Sequence, residues 1–74
     1  MTVQIKRIRI ETAQSIGETI RYLRTQQGLT IQQLADKSGI SMSAISKWEN
    51  GKRIPSFENF VKIVLALDSD VFIA

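Results

Sequence analysis

Between residues 31 and 50 the apolar positions fall into two short helical runs parted by a single glycine. With Ile31 counted as the first position, Leu34, Ile40, Ile45 and Trp48 occupy the places where two helices joined by a tight turn must be apolar. Ala35 stands where the helices cross closely, and Gly39 stands at the turn, where the backbone needs a positive φ. Ser38 departs from the pattern, because an apolar residue is more usual there. Thr30 with Gln33 reads as a capping box, and Leu29 can staple onto Leu34. Ser41 reads as the cap of the second run, and Asn50 with Gly51 as its end.

The flanking segments extend the helical pattern. Ile16, Ile20 and Leu23 recur at i, i+4 and i+7, so they predict a helix with one apolar face. Ser15 is expected to open it, in a capping box with Glu18, and Gly28 to close it. After the basic loop Lys52–Arg53–Ile54–Pro55, Ser56 caps a further helix running to about Leu67. Phe57, Phe60, Val61, Val64 and Leu65 are expected to form its main buried stripe, which Ile63, Ala66 and Leu67 widen. A helix apolar over most of its girth is buried on more than one side, so part of it is expected to face a partner subunit.

The termini read differently. Val3, Ile5, Ile8 and Ile10 alternate with polar neighbours, with a slip of phase between Ile5 and Ile8. That pattern fits an extended strand with a bulge. With Lys6, Arg7 and Arg9 inside it, a solvated arm, a strand pairing with another chain and a basic arm along DNA all remain open. Residues 70–74 are short and apolar, and their β-branching favours a strand over a helical turn. The expected division is an extended arm over 1–12, a helical domain over 13–68 and a tail over 69–74.

Composition narrows the function classes. The chain has 74 residues, no cysteine and no histidine. It therefore lacks disulfides, thiolate metal sites, the usual general base and the commonest metal ligand. No metal or cofactor is expected, and no catalytic constellation is visible. No run is apolar enough to span a bilayer, and no secretory signal is visible, so a cytoplasmic protein is expected. The net charge is +3 and the isoelectric point about 9.7, which suits a polyanionic partner. Lys37, Lys47, Lys52 and Arg53 gather around the second run of the motif against Glu49 alone. Glu58, Asp68 and Asp70 make the end acidic.

At about 100° per residue, Ala44, Ile45 and Trp48 point inward. Met42, Ser43, Ser46, Lys47 and Asn50 share the opposite face. These side chains are small or flexible, so the helix can enter a major groove about 12 Å wide. Ser43 can hydrogen-bond a base edge, Met42 can touch a thymine methyl, and Lys47 can reach guanine or a phosphate. Thr30 and Ser41, at helix N-termini, are phosphate candidates, as are Asn50, Lys52 and Arg53. Arg24 and Glu49 read as a structural ion pair fixing one helix on another, the alternative being two independent surface charges.

Residues 16–67 resemble the Xre-type helix-turn-helix family, the fold of the phage lambda and 434 repressors and Cro proteins. The resemblance rests on the G-L-T opening, the L-A before the turn, the I-S-x-W-E-N-G-K run and the Pro55–Ser56 cap. It implies a mainly α, lambda-repressor-like bundle of four core helices with the helix-turn-helix at 31–50, to which short β arms are added at both termini. It implies base contacts at Met42, Ser43, Ser46 and Lys47. It implies phosphate contacts at Thr30, Ile31, Ser41, Asn50, Lys52, Arg53 and Ser56, and a buried Arg24–Glu49 pair. It implies a homodimeric repressor on a palindromic double-stranded DNA operator. Ile31, Met42 and Ser43 replace glutamines usual in the family, so the target sequence does not carry over. A terminal strand would resemble antitoxin repressors of the hip type, so an autoregulating antitoxin with a toxin partner is the first alternative. A protein-interaction module that has lost DNA binding is the second.

Overall fold

The computed structural model describes residues 12–67. The expected arm, save Thr12, and the whole of the expected tail lie outside the described residues, and their strands with them. Among the described residues there are four helices and no strand: α1 (Ala13–Gln26), α2 (Ile31–Ser38), α3 (Met42–Glu49) and α4 (Phe57–Ala66). This is the lambda-repressor-like arrangement, with α2 and α3 forming the helix-turn-helix.

Local chemistry sets the boundaries. Thr30 caps α2 in a reciprocal box: its hydroxyl accepts from Gln33 N–H at 3.0 Å, and Gln33 Oε1 accepts from Thr30 N–H at 2.8 Å. Gly39 ends α2 in the left-handed region at φ 75°, a conformation in which a Cβ would be strained. Ser38, the departure from the motif, is put to use in that turn, since its Oγ accepts from Ile40 N–H at 3.2 Å. Ser41 caps α3 and Ser56 caps α4 through bonds from Ala44 and Asn59 N–H.

The start of α1 differs from the expectation. Thr12, not Ser15, is its N-cap, and Ser15 is the third residue of the box instead of the first. The helix gains three residues at its start. A serine offers the same hydroxyl in either role, so the pattern alone left two frames open.

The core is formed by Ile20 from α1, Leu34 and Ala35 from α2, Ile45 and Trp48 from α3, and Ile63 and Leu67 at the far end of the chain. The buried stripe of α4 is rotated from the expected one. Ile63, Val64 and Leu67 are buried and Phe60 is half-buried, whereas Phe57 and Leu65 are 64% and 58% exposed. A helix apolar over most of its surface carries two candidate stripes, and only docking decides which one turns inward. The tie between the far ends of α1 and α4 is a hydrogen bond donated by Gln27 Nε2 to the Leu67 carbonyl.

The α1–α3 crossing is unusually close. A Cβ on Gly17 would overlap the Trp48 carbonyl and lie 2.9 Å from the Glu49 carbonyl oxygen. Only a residue without a side chain lets α1 seat at this distance, and this contact fixes the angle at which α3 leaves the body.

Candidate nucleic-acid interface

α3 is two-faced. Its inner side buries Ile45, Trp48 and Glu49. Its outer side leaves Met42 45% exposed, with Ser43, Lys47 and Asn50 exposed and Ser46 half-buried. A polar groove of about 440 Å³ runs beside it, lined among others by Ser41, Ser43, Lys47, Arg53, Ser56 and Asn59. Two helix N-termini, those of α3 and α4, thus open onto a groove holding two cations. Their leading N–H groups lack intrahelical acceptors and their dipoles favour negative charge. An anion is the ligand this arrangement suits.

The remaining sequence-derived positions lie around the groove, not in it. Met42, Ser46 and Asn50 belong to the outer face of α3. Lys52 is exposed in the following loop, where its N–H bonds the Lys47 carbonyl at 2.9 Å. Thr30 is exposed at the start of α2. Ile31 packs its side chain against the core, so it offers only its main-chain N–H, the first of the helix.

α3 is held from behind by charge. Arg24 forks onto Glu49, with Nε 2.7 Å from Oε2 and Nη2 2.8 Å from Oε1. Its third nitrogen donates to the Leu29 carbonyl at 2.8 Å. The Glu49 side chain is 1% exposed and that of Arg24 13%. Hydrogen bonding to Glu49 raises the proton affinity of Arg24 above its ordinary value. Burial opposes the rise, and the charge of Glu49 adds to it.

Arg21 joins this pair, a role the sequence reading did not assign. Its Nε lies 3.2 Å from Glu49 Oε1, and its Nη2 lies 3.2 Å from Asn50 Oδ1. The available signal was its spacing: three residues before Arg24 on one helix, it shares that residue's face. Gly17 was also missed. A glycine inside an otherwise regular helix is itself a signal of close approach.

Fold and exposed face together define a helix-turn-helix domain. The family pattern described as helix-turn-helix matches residues 20–72, and the chain belongs to this Xre-type family. Over 55 residues it is 46% identical to the HTH-type transcriptional repressor RghR of Bacillus subtilis (strain 168), a match covering 73% of this chain and 41% of that protein. The restriction-modification controller protein C.AhdI of Aeromonas hydrophila superposes with a TM-score of 0.76 at 36% identity, over 78% of this chain and 88% of that one. HipB in the HipA-HipB-O2-O3 complex gives 0.73 at 27% identity, over 89% and 93%. The chain spans half or less of the length of the first curated relatives it matches.

Proposed function

We propose that this protein is a sequence-specific double-stranded DNA-binding regulator of transcription, acting in the cytoplasm as a repressor and not as an enzyme. The observation that carries this is the outer face of α3, polar and bare, beside a basic groove onto which two helix N-termini open. Met42, Ser43, Ser46 and Lys47 read base edges in the major groove. Thr30, Ile31, Ser41, Asn50, Lys52, Arg53 and Ser56 hold phosphates on either side. The names of RghR and C.AhdI, a repressor and a controller, support the regulatory role.

The functional unit is a homodimer on a palindromic operator, with the two recognition helices about 34 Å apart. The outer side of α4 favours a second copy as partner. It exposes Phe57 and Leu65, and Ile54 precedes it, 63% exposed. Glu58 and Lys62, one charge of each sign, flank it, so a two-fold axis can set each against its opposite in the other copy. The likeness to HipB, found in complex with HipA, favours a second reading in which this side or the tail also binds a toxin. Copurification of a second chain from its native host tests that reading.

Selection of bound fragments from random duplexes, followed by binding over a salt series, tests the main reading. The expected result is a palindrome and an affinity that falls steeply with salt. A flat salt response overturns it and favours a protein-interaction module.

A further inference from the structure

The geometry points to Arg21 as the residue that decides which way the Asn50 carboxamide faces, making it a positioning residue for the phosphate contact assigned to Asn50. This inference rests on that assignment. An asparagine at the exit of a recognition helix has two nearly isosteric orientations. One turns an N–H donor outward, and the other turns out a carbonyl oxygen that a phosphate would repel.

Arg21 removes the ambiguity. Its Nη2 stands 3.2 Å from Asn50 Oδ1. A guanidinium has five donors and no acceptor, so the atom facing it must be the oxygen. Turning the amide over would set donor against donor and lose the bond. Nδ2 is thereby placed on the other side, where it donates to Ser46 Oγ at 3.4 Å. Its second N–H stays available to an anion.

Arg21 can do this because it is itself held. Its Nε bonds Glu49 Oε1 at 3.2 Å, and the same carboxylate is clamped by the buried Arg24 fork. A fixed relay therefore runs from the α1–α3 interior to an exposed amide at the end of α3. An amide oriented in advance loses less rotational freedom when the phosphate arrives. The charge of Arg21 is already engaged by Glu49, and Glu18 lines the same polar cleft. Both features favour positioning over direct phosphate binding.

A double-mutant cycle of Arg21→Ala and Asn50→Ala tests this, read as affinity for a mixed-sequence duplex over a salt series, since phosphate contacts are sequence-independent. Each single variant is expected to weaken binding about fivefold, as loss of one hydrogen bond does. The double variant should be no weaker than either single one. The salt slope of Arg21→Ala should match wild type, and Arg21→Lys, which keeps the charge but cannot fork, should bind as poorly as Arg21→Ala. A multiplied loss of about 25-fold, or a slope lowered by about one with rescue by lysine, overturns the proposal and makes Arg21 a phosphate ligand.

If Arg21→Ala fails to fold, the side-chain amide protons of Asn50 in free Arg21→Lys decide by NMR. They should shift while the α3 backbone signals hold, and unmoved amide protons overturn the proposal. If Asn50→Ala binds like wild type while Arg53→Ala binds weakly, the Asn50 contact is absent and the inference falls alone. If the wild-type protein does not bind the duplex, the DNA reading fails first.

Discussion

α3 and α4 each bury one side and bare the other, but they are held and finished by opposite chemistry. α3 carries its weight on two buried apolar residues, a glycine contact and an ion pair, and its outer side is polar. α4 is seated mainly by Ile63, Val64 and Leu67, with Phe60 and Ala66 packed beside them and the Gln27 hydrogen bond at its end, and its outer side is apolar with one exposed ion pair between Glu58 and Lys62. The lesson is one of division. The helix that must keep a fixed angle has directional anchors, which tolerate little displacement. The helix suited to meet another apolar surface has mostly non-directional ones, and the partner's surface completes its burial.

The anchors of α3 are where substitution should do most. Gly17→Ala drives a methyl group into the backbone of Trp48 and Glu49, so either the crossing opens or the domain unfolds. A loss of about 4 kcal/mol or more is expected, which denaturant unfolding will measure. An equally stable Gly17→Ala protein would show that α1 and α3 are not packed this tightly.

Next in size is Glu49→Ala, which strands Arg24 with its burial uncompensated. Loss of one partner of a buried pair costs about 3–5 kcal/mol. The pH dependence has a definite sign. Because Glu49 raises the proton affinity of Arg24 in the folded state, that stabilisation is complete below the ordinary arginine range. It is lost only as pH rises through the elevated value. Thermal unfolding followed from pH 7 to 10 should therefore show no loss traceable to Arg24 deprotonation.

The outer face of α3 should behave in the reverse way. Lys47→Ala should leave stability within about 0.5 kcal/mol of wild type while costing about 1–3 kcal/mol of operator affinity and relaxing specificity at the base pair it reads. A variant that unfolds easily but keeps its operator affinity would dissolve the contrast between anchor and reading face. Smallest in its effect on the monomer is Leu65→Lys, for which a stability change within about 0.5 kcal/mol is again expected. Sedimentation should nonetheless show a weaker dimer, and a dimer of unchanged strength would remove α4 from the interface.

Much of the domain is legible along the chain because the signals are local. Thr30 with Gln33, Ser41 and Ser56 cap helices through bonds spanning three residues, and the positive φ at Gly39 needs only the absence of a Cβ. The apolar offsets from Leu34 to Trp48 follow from helical geometry, and the outer face of α3 is their complement. The first cap was misplaced because Thr12 and Ser15 carry the same hydroxyl chemistry. The α4 stripe was misplaced because a nearly all-apolar helix has no phase to read.

The sequence by itself determined four helices, their stops, the turn between α2 and α3, and a polar, basic face on α3. Those features depend on neighbours three or four residues apart, whose positions a helix fixes. Only the tertiary structure decided which side of α4 is bare, why residue 17 must be glycine, and that Arg21 reaches across to Glu49 and Asn50. Each of these depends on two helices brought together from distant parts of the chain. Distances and directions across such a crossing are set by packing, and the order of residues can flag a position, as it does Gly17 and Arg21, without naming the partner it meets.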